Sequence, residues 1–160
     1  MILDNFLNFS GSWSNGVWTG QTVTGTGNVL STNVLDLASM SPNQAPDIGM
    51  GEPLEIAFAV TTAFAGATSV EMQLVTADDA AITTNVQVIV STGAVAIANL
   101  SAGKTFALHV DRSAPNPALR RYMAVRYVIV GTGSAGAMLA NMVKSYQDPQ
   151  ISYKSGFAVL

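Results

Sequence analysis

Apolar and polar residues alternate along several short stretches of this chain, with the period of two that a β-strand shows when one face is buried. Leu54, Ile56, Phe58 and Val60 share one face of such a stretch. Similar stretches recur between segments rich in Gly, Pro, Asn, Asp and Ser, which is typical of strands joined by turns. We predict eight strands, at residues 29–37, 54–62, 69–76, 85–90, 94–98, 104–110, 122–131 and 137–144.

The connections between these strands are short, and residues 65–67, 77–79 and 101–103 suit hairpins or crossovers. A glycine-rich turn at residues 131–136 joins the last two predicted strands. Residues 135–145 are the one segment of ten or more residues whose apolar positions would fit a helix. Many short strands without helices predict an all-β protein, built as a sandwich, a barrel or a jelly roll.

The ends of the chain depart from this pattern, and we predict three parts. Residues 1–28 form an N-terminal strand and a Gly-, Ser- and Trp-rich arm, residues 29–146 form the β-domain, and residues 147–160 form a tail. Long segments without periodicity are usually functional loops or arms.

The arm and the tail carry aromatic residues that are candidates for contact with a partner. Trp13 and Trp18 lie in the arm, and Tyr153 and Phe157 lie in the tail. Two interpretations of the tryptophans stay open, because they can pack on their own domain or anchor a partner, as aromatic residues often do.

Composition limits the classes of protein that fit. Charged residues make up 11% of the chain and hydrophobic residues 49%, against about 25% charged residues in ordinary soluble domains. So neutral a surface is easier to understand if partners cover part of it. We expect no membrane span, because polar residues interrupt every apolar run, and no secretory signal at the first residues. The chain has no cysteine, so it has no disulfides.

Charge is distributed unevenly along the chain. Residues 1–103 contain eight acidic residues and no Lys or Arg, whereas residues 104–160 contain all seven basic residues and two acidic ones. Acidic and basic strands can neighbour each other in one sheet, or the two charges can face different partners. The basic set is too small and too poor in interleaved aromatic residues for a nucleic-acid partner. Within it, Arg120, Arg121 and Arg126 are candidates for an interface, because Arg makes bidentate contacts with carboxylates.

Gly131, Gly133 and Gly136 have the spacing of a dinucleotide-binding fingerprint. The fingerprint needs a β-α-β unit and an acidic residue about twenty positions further on, and the sequence provides neither. We therefore expect a turn at this motif and no cofactor.

The candidates for catalysis and metal binding are isolated. His109 is the single histidine, with Asp111 two residues away but no nucleophile motif. No calcium-loop pattern follows Asp78 and Asp79. Carboxylates such as Glu71 have no context that would mark a hydrolase. We expect a protein that is not an enzyme and has no metal site.

Three motifs occur in order along the chain: STNVLDL at residues 31–37, DIGMGEPL at 47–54 and RYMAVRY at 121–127. Together with neighbouring segments between residues 29 and 144, they resemble the Bbp16-type capsid cement (decoration) proteins of tailed bacteriophages. The arm at residues 10–28 and the tail after Pro149 lie outside this resemblance.

The resemblance implies a jelly-roll-like antiparallel β-sandwich, extended by the arm and the tail. It further implies a structural protein that is assembled in the host cytoplasm and bound to the outer surface of an icosahedral phage head. There it would staple neighbouring copies of the major capsid protein, as a homo-oligomer for which we prefer a dimer to a trimer. The alternative is a carbohydrate- or receptor-binding jelly-roll module of a virion, which would use Trp13 and Trp18 as a stacking platform.

Overall fold

The computed structural model describes residues 7–37, 54–110 and 120–144. Most of these residues lie in β-strands and none lies in an α-helix, which confirms the all-β prediction. A short 3-10 helix, Ile97–Asn99, follows β8. The strands are β1 (Asn8–Ser10), β2 (Ser12–Ser14), β3 (Val17–Thr19), β4 (Gln21–Thr22), β5 (Gly25–Leu30), β6 (Leu35–Asp36), β7 (Leu54–Ala77), β8 (Gln87–Ala96), β9 (Thr105–Val110) and β10 (Tyr122–Val143).

Two of these strands, β7 and β10, are each more than twice as long as predicted. They pair antiparallel along almost their whole length, from Tyr122 opposite Ala77 to Val143 opposite Glu55. Of the two alternatives predicted at residues 65–67, a hairpin or a crossover, the hairpin is wrong, because β7 continues through these residues. The turn predicted at 131–136 was also wrong, and so was the possible helix at 135–145 within the part described. The strands predicted at 85–90 and 94–98 are likewise one strand, β8.

The glycine-containing segments bend the long strands where we expected chain reversals. The register between β7 and β10 shifts repeatedly between Val130 and Met138. Gly66 has a φ of 83°, which favours glycine, and a β-carbon there would overlap the backbone of Thr132 and Ser134. Both strands therefore bend at the same level and continue.

The bend divides the eight-stranded sheet into two halves. Half I contains residues 54–62 of β7 and 137–143 of β10, with β9 beside β7, and β1 and β4 beside β10. Half II contains residues 69–77 of β7 and 122–130 of β10, with β8 beside β7, and β5 and β6 beside β10. The curled sheet forms an all-β sandwich, as predicted.

One hydrophobic core joins the two halves. Ile56 and Phe58 from half I, and Met72 and Tyr127 from half II, belong to the same buried cluster. The Tyr127 hydroxyl donates a hydrogen bond to Ser10 Oγ at 2.7 Å, and burial raises the pKa of Tyr127. A polar contact between β10 and β1 thus lies within the core.

The outer face of half II has a smaller apolar cluster, formed by Val75, Ala77, Ile82 and Ala124. Ile82 belongs to the loop after β7 and has a φ of 53°, which is strained for a β-branched residue. The Asp79 carboxylate holds the loop by accepting hydrogen bonds from the backbone N–H groups of residues 83 and 84. The Thr84 N–H, followed by the hydroxyl of Thr83, lowers the pKa of Asp79 to about 2.

Candidate interaction surfaces

A small hairpin leaves the main sheet between β1 and β4. Its strands, β2 and β3, pair with each other in a separate two-stranded sheet, and Asn15 and Gly16 form the connection. These two residues have φ values of 50° and 80°, as a type I′ turn requires, and Asn-Gly is a preferred sequence for that turn. The local sequence thus specifies this hairpin, although we expected an arm without strands after the first few residues.

Both tryptophans lie in this hairpin and face each other across it. Trp13 is directly opposite Trp18, with ring centroids 5.3 Å apart and ring planes tilted by 54°. A pair of this kind contributes about 0.5–1.5 kcal/mol beyond the apolar area that it buries. Trp13 nevertheless remains 54% exposed, and Val17 on the other face is 61% exposed.

The hairpin is mounted on half I. The strands that precede and follow it, β1 and β4, pair with β10 at residues 140–141 and 137–138. These adjacent attachment points fix both ends of the hairpin to the same stretch of β10. Other sequence within residues 8–28 also pairs with the sheet, because β5 begins at Gly25 and lies beside β10 in half II. The division of the chain at residues 28 and 146 stays a prediction.

The first two candidate arginines form ion pairs within the chain, at the end of the sheet where β10 begins. Arg121 donates two hydrogen bonds to the Asp36 carboxylate, both of 2.9 Å, and Asp36 raises the pKa of Arg121. Arg120 donates to Asp78 at 2.7 Å. The Asn85 amide, and then Arg120, lower the pKa of Asp78.

The third candidate, Arg126, belongs to a polar row across half II. Its guanidinium donates to the side-chain oxygen of Gln73 at 2.9 and 2.7 Å. The amide of Gln73 donates in turn to Glu71, which also accepts a hydrogen bond from Ser91. The hydroxyl of Ser91, followed by the amide of Gln73, lowers the pKa of Glu71.

These contacts show that acidic residues of the first part of the chain neighbour basic residues of the second part, which is the first of our two interpretations of the charge distribution. Arg120 and Arg121 neutralise carboxylates beside the ends of β7 and β6. A role for the three arginines at an interface stays a prediction. Tyr153 and Phe157 lie outside the described residues.

The glycine motif lies inside a strand. Gly131, Gly133 and Gly136 belong to β10, and the residues that follow continue that strand, whereas the dinucleotide fingerprint needs a helix there. A β-carbon at Gly136 would overlap the ring of Phe64. The glycines of the motif therefore allow β10 to pack closely against β7 at the bend.

The remaining polar candidates do not converge within the described part of the chain. His109 Nδ1 lies 3.8 Å from a Glu55 carboxylate oxygen, on the partly exposed side of half I. Across residues 7–37, 54–110 and 120–144, no three His, Asp or Glu side chains form a group that could hold a metal ion. Within the same ranges, no helix is long and apolar enough to cross a membrane.

Sequence reasoning missed two features of the surface. Residues 5–35 and residues 80–103 contain no charged side chain, and these segments supply the hairpin and several edge strands. Charge counts in a moving window would have detected them. The second feature is whether the outward N–H and C=O groups of each edge strand are hydrogen-bonded. This depends on tertiary contacts and has no local signal in the sequence.

The fold and these surfaces define the class, which is an all-β sandwich protein with an aromatic hairpin projecting from the sheet. Residues 17–142 match the model of the Bbp16 family, so the chain belongs to that family. Membership indicates a phage-related structural protein. The match begins at Val17 and therefore includes β3, β4 and part of the segment that our resemblance left outside. No protein with a curated description matches the chain.

Proposed function

We propose that this protein is a capsid cement protein, which binds the outer surface of a phage head and staples neighbouring major capsid proteins. The exposed Trp13–Trp18 hairpin is the observation that carries the proposal. The role is structural and not catalytic. In this proposal the protein acts as a homo-oligomer on the virion after assembly in the host cytoplasm, as the resemblance to Bbp16-type cement proteins implies. The neutral composition supports a surface that partners cover.

The hairpin suits a neutral, apolar pocket on a protein surface. No charge within residues 5–35 has to be desolvated when the hairpin is covered. The exposed 54% of Trp13 amounts to about 135 Å² if the residue can bury up to about 250 Å². At about 25 cal/mol per Å², covering it contributes about 3 kcal/mol. Many such contacts on one shell then act together through avidity.

Carbohydrate binding is the second candidate, since the exposed ring of Trp13 favours it. A sugar site combines an apolar platform with polar groups that converge on the same ligand. In this hairpin, Ser12, Ser14 and Thr19 alternate with the tryptophans and therefore occupy the opposite face. The geometry within the hairpin thus favours a protein surface.

The test compares the double variant Trp13→Ala/Trp18→Ala with a control on the opposite face, Ser12→Thr/Ser14→Thr. Phage heads assembled without the protein are mixed with each purified variant, and the bound fraction is measured by sedimentation. We expect the tryptophan variant to lose at least about tenfold in affinity, since about 1.4 kcal/mol corresponds to tenfold, and the control to bind as the native protein does.

Equal binding of the tryptophan variant and the control would refute the hairpin as the docking element. Failure of the native protein to bind heads, together with reproducible binding on a glycan array, would favour the carbohydrate alternative.

A further inference from the structure

The edges of the two halves differ in whether their backbone groups are capped. An edge strand exposes N–H and C=O groups that can pair with another chain, and proteins usually protect such edges with short strands, bulges, charges or covering groups. Among residues 7–37, 54–110 and 120–144, the edges on the β10 side and on β8 carry such protection, whereas none of these residues protects the outer edge of β9.

On the β10 side, a side-chain amide caps β5. Ser31 N–H donates to Val125 O, so the backbone groups of the adjacent Leu30 and Thr32 point away from β10. Gln21 donates to Leu30 O at 2.6 Å and accepts from Thr32 N–H at 2.8 Å, in the place of a neighbouring strand. β4 and β6 are two residues long each.

The neighbouring edge strand of half I, β1, is capped in a similar way. The side-chain amide of Asn33 donates to Asn8 O at 3.0 Å, and its backbone N–H donates to Phe9 O at 2.9 Å. These bonds join the segment after β5 to β1.

On the other side of half II, bulges interrupt β8. Its register with β7 shifts twice within ten residues, between Glu71 and Gln73 and between Leu74 and Val75. The Thr92 hydroxyl accepts a hydrogen bond from Met72 N–H, where a backbone carbonyl would otherwise serve. An irregular edge of this kind cannot present an even row of donors and acceptors.

In contrast, β9 pairs with β7 through six consecutive residues without a register shift, from Leu54 opposite Val110 to Ala59 opposite Thr105. It contains no proline and no Lys, Arg, Asp or Glu. None of the described strands pairs with its other edge.

The hydrogen bonds beside β9 show which of its groups face outward. Val60 N–H donates to Lys104 O at 2.8 Å, and bonded pairs alternate along an antiparallel ladder. The even-numbered residues Phe106, Leu108 and Val110 therefore exchange hydrogen bonds with β7. The backbone groups of the odd-numbered residues point to the free edge; these residues are Thr105, Ala107 and His109.

We infer that the outer edge of β9, with which none of the described strands pairs, accepts an extended segment of the major capsid protein as an added strand, an inference that rests on the proposed function. The segment is about five residues or longer, lacks proline, and alternates apolar with polar residues. Its apolar positions extend the core side, where Phe106 is partly buried, and its polar positions lie beside His109 on the exposed side. Backbone bonds supply affinity and the side-chain alternation supplies specificity.

This edge complements the tryptophan hairpin. The hairpin is attached beside β10 and β9 lies beyond β7, so the two elements flank half I at opposite edges. Strands about 4.8 Å apart place these edges about 14 Å from each other. A rigid body with different contacts at two opposite edges can hold two capsid subunits at once. A second copy of this chain fits the β9 edge less well than a capsid segment does. Two chains paired only through their six-residue edges would bury much less than the roughly 1,200 Å² of a stable interface, whereas the capsid contact also includes the hairpin.

The first measurement follows amide hydrogen exchange in the native protein, free and bound to heads. We expect the amides of Thr105, Ala107 and His109 to exchange quickly in the free protein and to become protected on heads. The amides of Phe106 and Leu108 serve as internal controls, because β7 already protects them in both states.

The second measurement uses Ala107→Pro, which removes an outward N–H group that pairs with none of the described strands, with Ala107→Ser as the matched control. Proline is tolerated at an edge position whose N–H faces solvent. We expect the proline variant to lose at least about tenfold in affinity for heads, while the serine variant binds normally. If the proline variant does not fold, the exchange experiment alone decides.

The outcomes separate this inference from the proposed function. Head binding with unprotected odd-numbered amides would overturn the β9 inference and leave the cement role intact. No binding to heads at all would overturn the cement role. Protection that appears in concentrated protein without heads, together with a larger mass by light scattering, would identify a second copy as the occupant and overturn the inference.

Discussion

The hydrogen bond between Tyr127 and Ser10 offers a quantitative test of how the core joins β10 to β1. Both residues are fully buried, and the bond of 2.7 Å connects side chains 117 positions apart in the sequence. Tyr127→Phe removes the donor and leaves the Ser10 hydroxyl without it in a dry environment. A buried polar group that loses its partner costs about 1–3 kcal/mol, so we expect a loss of about 1–2 kcal/mol in the free energy of unfolding.

The assay is a double-mutant cycle with Ser10→Ala, measured by urea unfolding and by calorimetry. For a chain of this length, the expected loss lowers Tm by about 2–8 °C. Unfolding should be followed by circular dichroism and not by tryptophan fluorescence, because both tryptophans lie in the hairpin outside the main sheet. The double variant leaves no orphaned hydroxyl, so its loss should be smaller than the sum of the single losses by about 1 kcal/mol. Additive losses would contradict a direct bond between the two side chains.

The same tyrosine predicts a pH dependence. Burial raises the pKa of Tyr127 above its ordinary value of 10.0 in the folded protein. The neutral phenol therefore stabilises the fold, fully below pH 10 and progressively less as the pH rises above it. Stability of the native protein should fall more steeply above pH 10 than that of Tyr127→Phe, as measured by thermal unfolding. Parallel curves for the two proteins would contradict this assignment.

Further predictions concern the loop after β7 and the bend. Asp79, with its pKa lowered from 3.8 to about 2, should titrate near pH 2 by NMR, and stability should fall as the pH drops from about 4 to 2. Asp79→Asn should lack this part of the acid dependence, and equal dependence in both proteins would refute it. Gly136→Ala should cost about 2–4 kcal/mol through its φ of 150° and the overlap with Phe64. Gly93→Ala, which meets no neighbouring atom, should cost about 1 kcal/mol, and equal losses at the two glycines would count against close packing at the bend.

The fold also explains where the few charged residues of this chain form ion pairs. Two ion pairs of the described residues lie where β10 begins, with Arg120 and Arg121 each bound to a carboxylate. Exposed pairs of this kind contribute little to stability individually. They connect the ends of strands that lie far apart in the sequence. The hairpin and β9, in contrast, contain no Lys, Arg, Asp or Glu.

Several features of this protein could be determined from the sequence by itself. Alternation at residues 54–60 and 104–110 correctly identified strands and the faces that they bury, because burial of one face imposes a period of two on the residues themselves. The motifs between residues 29 and 144 led to the family, which the match to residues 17–142 confirms. Asn15-Gly16 has a local turn signal strong enough to predict a hairpin.

The tertiary structure decided the rest, because the relevant contacts join distant residues. Glycine is typical both of a turn and of a bend within a strand, so the local sequence leaves a hairpin open at residues 65–67 and favours a turn at 131–136. Only the pairing of β7 with β10 shows that both strands continue there. The bonding of each edge depends on partners such as Gln21 for β5. A free edge is consequently invisible in the local sequence of β9, since it is defined by the strands and side chains that pack beside it.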